Sequence, residues 1–271
     1  MLLVSPPLTK FWQIATAGLN ESVFQALSAF KTQHKRRFYR KIYILLLLYG
    51  SNMLTLIGTS HLDLDGYGRL KKIFNHLKPS VIGIEETRKD FEETSNLVKA
   101  LSNPQILEQT LNNARRQFPN VNQDTLKLWL SSTNYENKAI GEYSTSEGIP
   151  IIYCDNPKEL AKIDFEGKAR KPNSSLNHGI EAFLRLSPKE ARLDISREYL
   201  QIKYPVKDCA KLVDFYQARD QFTEQILRGQ TEDMVYVCGL DHIFGDYHPN
   251  LFDRLSYINP KRMKLSEVDK L

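Results

Sequence analysis

Two histidines and two carboxylates in this chain each stand just past a short apolar run. Residues 53–57 lead into Gly58-Thr59-Ser60-His61, and residues 81–84 lead into Glu85. Residues 151–153 lead into Cys154-Asp155, and residues 234–238 into Gly239-Leu240-Asp241-His242. In a parallel α/β sheet, the loops leaving the carboxyl ends of the strands form the crevice where ligands sit. If the four runs are such strands, these residues converge from distant parts of the sequence. Imidazoles beside carboxylates suit a divalent metal ion or a general acid/base pair.

The histidine spacing is more than compositional noise. Composition predicts roughly 0.3 Gly-x-x-His matches, a count that makes any single match only a hypothesis. Three occur, at Gly58, Gly239 and Gly245, and the first two directly follow apolar runs. Glycine there lets the backbone turn sharply or approach a ligand closely. The third, ending in His248, lies in a loop-like stretch and ranks below the others. Glu85 ends a strand expected to be buried on both faces, so its carboxylate needs a cation or hydrogen-bond donors. Arg88 is the local partner; a metal ion or Arg219 is the distant one. Glu86 takes the place of Glu85 if the register slips by one.

Arg219 is the anomaly of a helix expected near 207–229. Leu212, Phe215, Tyr216, Phe222 and Ile226 mark an apolar stripe, and Arg219 falls within it. A buried guanidinium needs a carboxylate or another anion. The expectation is an Arg219–Glu85 contact, with Asp220 beside it facing either the site or water.

Those residues must be carried by a frame, and the periodicities supply one. Leu70, Ile73, Phe74 and Leu77 recur at the spacing of one helix face, and Lys78-Pro79 stops that helix before the run at 81–84. Strand, helix and strand in succession make a βαβ unit. Residues 89–147 are helical in pattern, with breaks at Asn-Pro and Pro-Asn. Residues 164–178 are polar and rich in breakers, a loop or lid, with His178 as a surface or capping residue. Helices are expected near 187–201 and 207–229. His76 lies off the apolar stripe of its helix and reads as solvated.

Composition narrows the class. The chain has 271 residues, 41% hydrophobic and 25% charged, the profile of an ordinary globular protein. Its net charge of +5 is concentrated at the amino end: residues 1–52 hold seven Lys/Arg and one acid, whereas the other 219 hold 30 basic and 31 acidic groups. The neutral body gives no footprint of specific nucleic-acid binding. Residues 1–52 form a basic and apolar extension, expected to be a start-site overextension or a disordered tail ahead of Met53. Residues 42–49 are too short to cross a bilayer, which takes about 20 apolar residues, so no true membrane span is expected. Cys154, Cys209 and Cys238 are odd in number and show no CxxC spacing. That points away from a disulfide scaffold and toward buried thiols in a reducing cytoplasm.

Four motifs in order resemble the TraB/PrgY/TIKI family. They are Gly58-Thr59-Ser60-His61, Lys78-Pro79-Ser80-Val81-Ile82-Gly83-Ile84-Glu85 with Arg88, Ala218-Arg219-Asp220, and Val237-Cys238-Gly239-Leu240-Asp241-His242 followed by Gly245. The resemblance spans roughly residues 53–256. It implies a three-layer α/β/α domain over 53–271, with a mainly parallel sheet and a helical insertion over the carboxyl ends of the strands. It also implies that His61, Glu85 and His242 are the metal-binding or catalytic set, with Glu85, Arg219 and Asp220 acting in catalysis. The expected activity is metal-dependent hydrolysis of a peptide or ester bond, with zinc, manganese or cobalt equally suited to such ligands. The alternative is a non-enzymatic protein that captures a peptide or haem on the same scaffold, with His248 and Tyr247 as the candidate axial ligands.

Overall fold

The structure, a computed structural model, describes residues 53–155, 175–201 and 210–270. The basic extension, Cys209 and most of the expected lid at 164–178 lie outside the described residues, as do the side chains of His178 and Leu212. Five strands are β1 (Leu54–Thr59), β2 (Val81–Ile84), β3 (Ile151–Tyr153), β4 (Met234–Gly239) and β5 (Lys261–Lys264). They form one sheet in the order β3-β2-β4-β1-β5, and every pairing is parallel.

The long helices are α1 (Gly66–Leu77), α2 (Arg88–Leu101), α3 (Pro104–Gln117), α4 (Gln123–Ser132), α5 (Tyr135–Glu147), α6 (Ser175–Arg185), α7 (Pro188–Leu200) and α8 (Ala210–Arg228). Two short helices, α9 (Leu240–Phe244) and α10 (Leu251–Arg254), follow β4. Local chemistry sets many of these boundaries. Asn103 and Asn122 cap α3 and α4, Ser187 and Glu190 form a capping box on α7, and α5 stops at Gly148 in the left-handed region.

β1, β2 and β4 are buried throughout, which is why they read as unbroken apolar runs instead of alternating ones. Their side chains feed two cores. Ile57, Ile82, Ile84, Val235 and Val237 pack with α1, α4, α5 and α7 on one face. Leu56, Tyr236 and Cys238 pack with Leu227 of α8 and with Leu251 and Leu255 on the other. The result is a three-layer α/β/α fold. β5 is absent from the hydrophobic reading for a physical reason: it is the Lys-Arg-Met-Lys edge strand, and charge on a sheet edge discourages pairing with another chain.

The topology opens a crevice beside β4. The chain leaves β1 and β2 into helices of the first layer, whereas it leaves β4 toward α10 in the second. Because β4 lies between β1 and β2, departing chains diverge on both sides of its carboxyl end. The register puts Thr59 opposite Gly239, and Ile84 opposite Val237, so the residues after β1, β2 and β4 reach the same level.

Candidate functional site

Gly239 is the centre of the crevice. A Cβ at this position would stand 3.6 Å from Glu85 Oε2, 3.6 Å from His61 Nε2 and 3.8 Å from His242 Cδ2. Three residues separated by up to 181 positions therefore surround one small volume above the end of β4. The absent side chain leaves that volume free.

Glu85 holds its place through four contacts. Oε2 accepts the Gly239 backbone N–H at 2.7 Å, and the Glu85 N–H donates to Val237 O at 3.2 Å. Oε1 lies 2.6 Å from Arg219 Nη2 and 2.9 Å from His242 Nε2. Burial disfavours the carboxylate, but the charges of His242 and Arg219 outweigh it and hold the pKa far below the ordinary carboxylate range. Arg88 takes no part: it is exposed and pairs with Glu92 one helical turn on.

Arg219 bridges two strand-end carboxylates. Its Nη2 is 2.6 Å from Asp155 Oδ2 while Nε donates to Asp155 Oδ1 at 2.9 Å, the planar two-pronged geometry that arginine suits. The contact to Glu85 that the helix periodicity calls for is thus present, with Asp155 on the far side of the guanidinium. The expected apolar stripe differs in detail. The fully buried face of α8 runs through Asp220, Thr223 and Leu227, and two of those three are polar because each has a partner. Thr223 donates to Cys154 O at 2.7 Å, and Asp220 meets His242 and Tyr247.

His242 lies between two acids. Nδ1 is 2.5 Å from Asp220 Oδ1, Nε2 faces Glu85, and the ring edge rests against Tyr216. Asp220 is itself fixed by the Tyr247 hydroxyl at 2.6 Å. Burial works against the imidazolium, but Glu85 and Asp220 overcome it and raise the pKa to about 10. Because the folded value exceeds the ordinary 6.5, the stabilisation is complete below pH 6.5 and is lost as pH rises through about 10. Denaturation midpoints should therefore decline over that window, and His242→Gln should flatten the decline. Parallel slopes for the two proteins would refute the assignment.

His61 differs from His242 in exposure. Its side chain is 72% exposed, with Nδ1 3.0 Å from Glu136 Oε1 of α5. Glu136 favours the imidazolium and raises the pKa, an attraction that solvent screens at so open a ring. The loop carrying His61 is pinned from several sides. Tyr135 donates to Ser60 O at 2.9 Å, Ser60 N–H to the Tyr199 hydroxyl at 3.1 Å, and Ser60 Oγ to Glu198 at 2.7 Å. The same Tyr199 hydroxyl donates to Asp63, whose two oxygens also accept from Nη1 of Arg69.

Glu136 and Tyr199 are invisible as site residues in the sequence, because neither follows an apolar run and each meets the site only through helix packing. The other candidates fall away from the centre. Tyr247 is buried with its hydroxyl on Asp220, and His248 is exposed with Nδ1 on Asp253. His76 is exposed. Cys154 and Cys238 are buried, and burial pushes the Cys154 thiol up to about 12, which makes both inert packing groups. Glu86 does not replace Glu85; it turns into a neighbouring cavity, where burial raises its pKa to about 7 despite a 2.7 Å bond from Asn137.

Whether this donor set suits a metal ion turns on its free lone pairs. Both His242 nitrogens face carboxylates, and both Glu85 oxygens are engaged by Arg219, His242 and the Gly239 N–H. Among the described residues, no group of three or more His, Cys, Asp or Glu is arranged to hold a metal ion. As arranged, His242 and Glu85 are engaged with each other, and a metal ion would have to take the place of that contact. No helix among the described residues is long and apolar enough to cross a membrane. Comparison of the chain with protein-family profiles, curated proteins and solved structures finds no match.

Proposed function

We propose that the protein is a hydrolase acting on a peptide or ester bond at the volume above Gly239. The convergence of His61 Nε2 and Glu85 Oε2 on that volume, from two different strands, carries the reading. The reaction class comes from the resemblance to the TraB/PrgY/TIKI motifs. Glu136 accepts the Nδ1 hydrogen of His61, so Nε2 accepts a proton from an attacking water in the molecules whose ring is neutral. That fraction grows as pH rises through the raised His61 pKa. Glu85, kept ionised by Arg219 and His242, accepts the second hydrogen of that water and orients it. The water oxygen adds to the substrate carbonyl, the proton taken by His61 passes to the departing amine or alcohol, and the acyl–heteroatom bond breaks.

The test is hydrolysis of fluorogenic peptides and activated esters by the full chain, with and without a chelator. Turnover that survives chelation and disappears in Glu85→Gln supports the reading. No hydrolysis of any substrate, or equal rates in the variant, ends it.

A metal-dependent form of the same hydrolase is the second reading, and one observation favours it. Both histidines are held at Nδ1 by a carboxylate, the usual support of metal-bound imidazoles. This form requires chelation to abolish turnover and zinc, manganese or cobalt to restore it.

Gly239→Ala separates the site from the scaffold in either form. The backbone there is ordinary (φ −59°), and the new methyl would meet its neighbours at normal contact distance. Stability should change by less than about 1 kcal/mol. The methyl nevertheless occupies the water's position, so turnover should fall at least about tenfold for each 1.4 kcal/mol of lost transition-state stabilisation. Wild-type turnover in this variant would move the reaction elsewhere.

A further inference from the structure

A cavity of about 220 Å³ opens beside the centre, between the ends of β1, β2 and β4 and the helices α4, α5 and α6. Its volume is below the roughly 300–1,000 Å³ of drug-sized ligand sites, so it fits one group of a substrate. His61 and Glu85 line one side, which makes the cavity continuous with the volume above Gly239. Leu62, Trp129 and Ile180 supply apolar walls, and Glu86 and Asn137 supply a polar end.

The charges at this cavity do not balance. Its lining contains Glu85, Glu86 and Glu136 but no lysine or arginine. Glu85 is answered by Arg219 and His242, and Glu136 by His61. Glu86 accepts a hydrogen bond from the neutral amide of Asn137 and is attracted weakly by His61, while Glu136 and Asp90 repel it. Among the described residues it has no lysine or arginine partner. A carboxylate that shares a cavity with an indole and aliphatic side chains matches a cation on a short aliphatic body. The ammonium gains a charge-assisted hydrogen bond, and a tryptophan face adds cation–π attraction. The hydrophobic walls suit carbon and not the oxygen-rich shell that a hard metal ion requires.

We propose that this cavity binds a primary ammonium group of the substrate, with Glu86 as its counter-ion. The inference deepens the hydrolase reading, since it makes an amine-bearing peptide or ester the preferred substrate. It can nevertheless be tested without turnover.

The experiment follows the full chain by NMR during titration with n-butylammonium, n-butanol and butyrate, read at the Trp129 indole and the Glu86 amide. Saturable binding of n-butylammonium is expected, with n-butanol weaker by about tenfold, as suits one hydrogen bond to a charged group. Glu86→Gln keeps the shape and the Asn137 contact, and should weaken n-butylammonium about tenfold while leaving n-butanol unchanged. His61→Ala should retain n-butylammonium binding even as hydrolysis is lost, so the cavity and the catalytic assignment stand or fall separately. Absence of saturable n-butylammonium binding overturns the proposal, as does equal binding of n-butanol or butyrate. The wild-type ligand comparison decides the matter even if the variant folds poorly.

Discussion

His61→Ala should lower kcat/KM by a factor of about 10² to 10⁴, the range supplied by one positioned general base. The folded protein should be almost unaffected. The ring is 72% exposed, and its removal opens the side chain of its bonded partner Glu136, 11% exposed, to water. A pair so open on the histidine side is screened by solvent, so the melting transition should move little. The separation is what makes the variant informative: the largest loss of rate falls on the residue with the least structural role. His61→Gln is the companion, because it keeps polarity but supplies no basic nitrogen. Equal rates for the wild type and both variants would remove His61 from the mechanism and leave Glu85 as the only acceptor above Gly239.

Much of this centre was legible because burial forces chemistry to be explicit. A strand buried on both faces is written in apolar residues, so the polar residues just past it are conspicuous. That rule located His61, Glu85, Asp155 and, one turn later, His242. Arg219 was legible for the converse reason, as a charge among apolar neighbours on α8 that demanded an acid. Asp220 resisted the same treatment. A carboxylate on the flank of a helix stripe faces core or water with no difference in sequence, and only its meeting with His242 and Tyr247 decides it. Glu136 gave no signal at all, since its relation to His61 is created by α5 crossing over the end of β1. β5 was hidden by its own edge chemistry.

The protonation of His242 could not be read from spacing either. Its two carboxylate neighbours come from β2 and α8, and each alone is a common hydrogen-bond partner. Together they hold a proton that any metal ion would have to displace. That competition, visible only in three dimensions, is why the metal-binding expectation becomes the second reading while the residues themselves keep their place.

Arg219→Met should destabilise the fold more than any other single change at the centre. The guanidinium is the shared partner of Glu85 and Asp155, whose side chains are 13% and 3% exposed. Methionine matches much of the volume, so packing is largely kept and the effect is electrostatic. Removing one member of a buried ion pair costs about 3–5 kcal/mol, because the charge left behind is neither solvated nor paired. Here two carboxylates are left, and Glu85 keeps His242 and the Gly239 N–H. Asp155 is the more deeply buried acid and meets the guanidinium through both oxygens, which predicts a specific rescue. Arg219→Met with Asp155→Asn should recover a large part of the loss, as measured by denaturant midpoint, whereas Arg219→Met with Glu85→Gln should recover less. Equal recovery by both acids would mean that the guanidinium neutralises the site as a whole. Recovery by neither would mean that Arg219 stabilises α8 through packing against Phe215, over which it lies at 5.2 Å, and not through charge.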